Sequence, residues 1–115
     1  MKKLGYVPVG LGNNNFSEDW LRDNTLDNIT RKNKFYGEYT FHYWFWKNIL
    51  PKIKDDQWVG FCAYREFWKN KNSNNKENLN QIALQEIPEE WNNYDAIIGE
   101  HRTFKSLKEL KFSKI

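Results

Sequence analysis

Between residues 38 and 48 the chain reads EYTFHYWFWKN, with one carboxylate and one imidazole set among six aromatic side chains. With Phe35 at the origin and about 100° per residue, Phe45, Ile49, Phe35, Trp46, Tyr39, Leu50, Tyr43 and Tyr36 cover one half of a helical wheel. Gly37, Thr40, Phe41, Trp44, Lys47 and Asn48 cover the other half. Glu38 and His42 sit one turn apart in the middle of the apolar arc, and a carboxylate on a packed face is costly unless it is paired. Two readings of Glu38 follow. Either it bonds His42 or a loop amide, or it faces a cleft, where it contacts a polar ligand or acts as an acid or base. Trp44, flanked by Thr40, Lys47 and Asn48, either meets a second layer of the fold or stacks on a sugar or base. Cys62, His42 and His101 lack any motif that would join them as a nucleophile and its base, and Cys62 reads as core.

The elements that must position these groups alternate. Residues 4–10, LGYVPVG, predict a strand kept to an edge or an end by Pro8. Residues 11–30 predict a long Asn- and Asp-rich loop with one helical turn at 17–22 capped by Ser17. Residues 35–50 predict one helix of about four turns closed by Pro51. QWVGFCAY, 57–64, is apolar on both parities and predicts a buried strand of the parallel-sheet type. A hydrated loop (68–78), a short amphipathic helix (78–87, ended by Pro88) and a second buried strand (93–99) follow. This order predicts an α/β fold, a small sheet of partly parallel strands with packed helices, in one domain spanning 1–115.

Composition narrows the class. Eighteen basic and fifteen acidic residues leave a net charge of +3, a mixed surface that makes nucleic acid an unfavoured partner. The aromatics also concentrate on a helix that needs them for packing, which argues against a single-strand binding module. One cysteine excludes an internal disulfide and fits a cytoplasmic compartment. MKKLGYVPVG lacks the apolar run of a signal peptide, and no stretch approaches the roughly 20 apolar residues of a membrane span. In the tail, 101–115, Arg102, Lys105, Lys108, Lys111 and Lys114 recur every third residue. On a helix they intermingle with Phe104, Leu107 and Leu110, which predicts a frayed basic tail rather than a membrane face. Any membrane association is therefore expected to be peripheral.

Three blocks carry a resemblance: YVPVG (6–10), DNTLDNITRKNKFYGEYTFHYWFWKN (23–48) and WVGFCAYREFW (58–68). Together they resemble the front half of a bacterial domain-of-unknown-function family of capsular and exopolysaccharide gene clusters. Its members are generally described as glycosyltransferases. The family's loop pattern D-x-x-x-D-N-I-[ST]-x-K-N is met by Asp23, Asp27, Asn28, Ile29, Thr30, Lys32 and Asn33. Its helix pattern E-x-T-x-x-Y-W-x-W-K-N is met by Glu38, Thr40, Tyr43, Trp44, Trp46, Lys47 and Asn48. Gly60, Tyr64 and Arg65 meet the strand and its exit, and YDAIIG (94–99) continues the match. The chain departs where the family has Gly and this loop has Leu26. It departs again where His-Tyr-Arg-Arg is replaced by Ala63, Tyr64, Arg65 and Glu66. The family also has a preceding strand with a His-Lys element and a further C-terminal half, so the resemblance implies a truncated or split member of the family.

The resemblance implies transfer of a sugar from a nucleotide-sugar donor to a glycan or lipid-linked acceptor, in the cytoplasm or peripherally at the inner membrane. Glu38 is then the catalytic candidate. Arg65, Lys32, Asn33, Asp27 and Asn28 are the donor and phosphate candidates, since a departing diphosphate needs neutralising by Arg, Lys or a divalent metal. Tyr64 and Trp44 are the candidate platforms for a sugar or base. Asp23 and Asp27 would fix their loop or a metal, although Asx-turn chemistry explains them equally well. The paired aspartates one residue apart that mark many sugar transferases are absent, and Asp55-Asp56 reads as a turn, so no metal site is assigned. Two alternatives stay open: an inactive or split remnant acting as a partner subunit beside a second chain, and an aromatic-basic nucleic-acid-binding module.

Overall fold

A computed structural model describes residues 4–63, 66–70, 78–100 and 103. The chain divides into two compact units, residues 1–85 and 86–115. The fold is a small α/β one. In the first unit, strands β1 (Val9–Gly10) and β2 (Leu21–Arg22) form a two-stranded parallel sheet, with Val9 opposite Leu21 and Gly10 opposite Arg22. Three α-helices are described: α1 (Asn33–Tyr36), α2 (Tyr39–Asn48) and α3 (Leu79–Ile82). Single 3-10 turns at Thr30–Lys32 and Leu50–Lys52 lead into α1 and out of α2.

The segment expected to be only loop, 11–30, supplies half of the sheet. The chain reverses at a turn in which the Trp20 N–H donates to the Ser17 carbonyl at 3.0 Å, so Ser17 closes a turn rather than capping a helix. Phe16 stacks on Trp20 and lies under the Arg22 guanidinium, 5.0 Å from ring centroid to Cζ. The same guanidinium donates through Nη2 to the carbonyls of Gly12 and Asn14 at 3.0 and 3.1 Å, which ties the loop back to β2. Gly10 is required by this packing, because a Cβ there would come within 2.5 Å of the Phe16 ring.

The predicted helix over 35–50 is two helices. Gly37, at φ +54° and ψ −128°, breaks it. This is backbone that residues with a Cβ avoid, and α2 then restarts at Tyr39. Its buried residues are Thr40, Phe41 and Trp44. These lie on the half of the wheel that carried fewer apolar side chains, and of the larger aromatic arc Phe35, Tyr36, Tyr39 and Trp46 face outward. His42 is not paired with Glu38. It packs edge-on against Phe61, with centroids 4.7 Å apart, and Phe61 also meets the edges of Phe41 and Phe45.

Residues 57–63 do not form the expected strand; residue 64 lies outside the described residues. A buried strand needs a neighbour on each side to take its backbone groups. The main-chain pairing found here lies further on, in an isolated antiparallel bridge between Lys69 and Ala83. Asn70 N–H donates to the Ile82 carbonyl and Leu84 N–H to the Trp68 carbonyl, at 2.9 and 2.7 Å. That bridge shortens the helix expected over 78–87. A capping box between Asn78 and Gln81 starts α3, but Ala83 is already extended to meet Lys69.

In the second unit, Pro88 opens a 3-10 turn over Glu89–Asn93, closed by Trp91 N–H to the Pro88 carbonyl at 3.0 Å. The second expected strand, 93–99, does not form: Asn93 ends the 3-10 turn, the residues after it pair with no strand among the described residues, and Tyr94 and Ile98 are exposed. The expected loop at 68–78 is only partly described, and the expected tail at 101–115 lies outside the described residues apart from Thr103.

Candidate functional site

The loop after β2 and the first turns of α2 are joined around one carboxylate. Asp23 is fully buried. Its Oδ1 accepts from the Gly12 N–H at 2.9 Å and from the Thr30 hydroxyl at 3.1 Å, and its Oδ2 accepts from the Thr40 hydroxyl. Asn33 adds a second layer, with its side-chain amide donating to Thr40 Oγ1 at 3.0 Å and to the Gly37 carbonyl at 2.9 Å. Both carboxylate oxygens of Asp23 are thus met by a donor, which is what a buried carboxylate requires. Asp23 therefore fixes its loop and is not open to a metal.

A second junction lies one turn further along α2. The Asn48 side-chain amide donates to the Asp27 carbonyl at 2.8 Å and accepts from the Asp27 N–H at 3.3 Å. The Tyr43 hydroxyl donates to Asp27 Oδ1 at 3.0 Å. That bond, which the carboxylate accepts only while the phenol keeps its proton, raises the Tyr43 pKa, with burial and the Asp27 charge adding to it. Between the two junctions the Trp44 indole N–H donates to the Thr25 carbonyl at 2.9 Å. Asn28 bridges its own loop, donating to the carbonyls of Thr25 and Leu26 and accepting from the Thr30 N–H. Leu26, at φ +51°, adopts the left-handed turn conformation that glycine holds without strain.

This geometry sorts the candidates. Trp44 is only 3% exposed and stacks on Phe41, so it is core and offers no platform. Asn28 and Asn33 spend their amides on the loop and on the start of α2. Asp27 is exposed and held by Tyr43 and Asn48. Lys32 is exposed, its ammonium 6.0 Å from the Tyr36 centroid. Glu38 is exposed at the N-terminal end of α2, makes no capping hydrogen bond, and among the described residues has no side-chain partner. Being exposed, it does not sit within a packed apolar face. Tyr64 and Arg65 lie outside the described residues.

Cys62, expected in the core, is exposed, and partial burial of its sulfur together with the Glu66 carboxylate pushes the thiol pKa up. A thiol held protonated is a poor nucleophile. Among the described residues no three His, Cys, Asp or Glu side chains gather as a metal site. No described helix is long and apolar enough to cross a membrane. Reading the sequence missed Arg22 and Asn48 as organisers of the loop. Asn48 carried a signal, since it closes the helix pattern of the family; Arg22 carried none.

Residues 1–113 match the family described as Domain of unknown function (DUF4422), and the chain belongs to that family. No curated protein and no solved structure matches it.

Proposed function

We propose that the chain belongs to a glycosyltransferase machinery that takes a sugar from a nucleotide-activated donor into a capsular, exopolysaccharide or other surface glycan. The observation that carries this reading is how the motif residues divide. Asp23, Thr30, Asn33, Thr40, Trp44 and Asn48 are consumed by the fold, whereas Glu38 and Lys32 stand exposed nearby with no structural task. Family-marking residues that the fold does not use are the ones free to meet a ligand.

In the proposed reaction the bond between the anomeric carbon and the donor diphosphate breaks, and an acceptor hydroxyl oxygen bonds that carbon. Glu38 takes the proton the acceptor loses. Arg65 and Lys32 neutralise the charge gathering on the departing diphosphate, Arg65 with the fork that suits a phosphate. Asp27, Asn28 and Asn33 hold the loop that carries Lys32, and Tyr64 is the remaining candidate on which a base or sugar could stack. A divalent cation is a possible additional neutraliser of the diphosphate.

The test is a thermal-shift or saturation-transfer NMR screen of the whole chain against UDP-, GDP- and CMP-sugars, with and without Mn²⁺. Stabilisation by one nucleotide class, lost in Arg65→Ala and retained in Glu38→Gln, is the expected result. A well-folded sample that binds none of them overturns the donor site and favours an inactive or split member acting as a partner subunit.

A further inference from the structure

The aromatic arc that the fold leaves outward is also where its positive charge collects. Phe35, Tyr39 and Trp46 are 80%, 66% and 54% exposed, and Tyr36 and Leu50 are exposed with them. On the helical wheel Tyr39 and Trp46 fall within about 20° of each other, so they share one stripe of α2, and exposed Leu50 opens the 3-10 turn that follows. Residues 31 to 54 contain Arg31, Lys32, Lys34, Lys47, Lys52 and Lys54 against Glu38, and Asp55 and Asp56 follow directly, so residues 31 to 56 carry a net charge of +3, as much as the whole chain. All six of these basic side chains are exposed. Cations and rings are interleaved: the Lys47 ammonium lies 3.9 Å from the Trp46 centroid, and Lys34 lies 5.9 Å from that of Phe35.

We propose that this face docks on an anionic bilayer surface, with Tyr39, Trp46 and Leu50 at the boundary between headgroups and acyl chains and the lysines against lipid phosphates. An exposed apolar patch of this extent rimmed by charge marks an interaction site. Trp and Tyr favour the interfacial layer, and basic residues beside them favour anionic lipid. Helix α2, ten residues and so about 15 Å long, can only lie in the plane of the surface. Lys47 needs no rearrangement of the fold to serve, because its stem can lie along the Trp46 ring while its ammonium rises to the phosphates.

Charge complementarity separates this occupant from the others. A second copy would set one basic surface against another. A nucleic acid strand would need free ring faces, yet one face of Trp46 is covered by Lys47, and Leu50 offers a base nothing to stack on. Glu38, Asp55 and Asp56 are the acidic residues within or next to this stretch of sequence, and all three are exposed. The inference is independent of the transferase reading, since it concerns a surface and not the donor.

The experiment is co-sedimentation of the whole chain with vesicles of phosphatidylcholine alone or with one-third phosphatidylglycerol. Pelleting with the anionic vesicles about tenfold tighter than with neutral ones, and weakening as salt rises, is the expected result. Two variants, Tyr39→Ser/Trp46→Ser and Lys47→Glu/Lys52→Glu, change exposed side chains and should melt as the parent does while binding anionic vesicles about tenfold more weakly. Failure of the folded parent to pellet overturns the proposal, as does full retention of binding by both variants. Tighter binding to a single-stranded oligonucleotide than to vesicles, or a concentration-dependent dimer broken by Tyr39→Ser/Trp46→Ser, overturns it in favour of those occupants.

Discussion

The Asp23 carboxylate gathers the Gly12 N–H and the Thr30 and Thr40 hydroxyls in a site without water access, so each partner is worth more there than on the surface. Thr40→Val keeps the shape of the side chain but removes the donor to Oδ2. It should cost about 1–3 kcal/mol, read as a lower urea midpoint with an unchanged slope. Leu26 presents the opposite case. Its φ of +51° costs a residue with a Cβ about 1–2 kcal/mol, and its side chain is exposed and contributes little burial. Leu26→Gly relieves that strain but loosens the unfolded chain by about 0.5–1 kcal/mol. The variant should therefore melt at the same temperature as the parent or a few degrees higher, and a drop of several degrees would refute the strain argument.

Helix α2 shows why counting apolar residues misjudged the buried face. The winning face carries Thr40, Trp44 and Asn48, side chains that each make a hydrogen bond to the loop at 23–27. An apolar face that must also satisfy a buried carboxylate and loop carbonyls is chosen by its donors as much as by its rings. The break at Gly37 serves the same end, since the Gly37 carbonyl turns toward Asn33 and Thr40. Gly37→Ala would meet no atom within 4 Å, so its cost is purely conformational. It should amount to about 1–3 kcal/mol, measurable as a lower midpoint in a thermal melt followed by circular dichroism.

Across the first unit, the contact that joins the chain's beginning to its far side is Tyr6. Its hydroxyl donates to the Leu84 carbonyl at 2.8 Å, 78 residues away in sequence, and its ring meets the edge of Phe67 at 5.4 Å. Burial raises the Tyr6 pKa above its ordinary value, and the phenol, protonated at neutral pH in either case, is the donor. Tyr6→Phe retains the ring contact and loses the bond. It should lower stability by about 1 kcal/mol in urea denaturation.

The sequence alone determined what local chemistry decides: the α/β class, the strand at the Pro8 edge, a helix through 39–48 and the helix start at Asn78. It also carried the spacing that marks the family, because that spacing is a property of the residues themselves. Only the tertiary structure decided which face of α2 packs, that Trp44 is core, that Cys62 is exposed, and that Leu21–Arg22 pairs with Val9–Gly10 inside a segment without strand periodicity. The reason is common to all of these. Each depends on where a distant group finds its hydrogen-bond partner or its ring neighbour, and a buried carboxylate such as Asp23 imposes that choice on segments far from it in sequence.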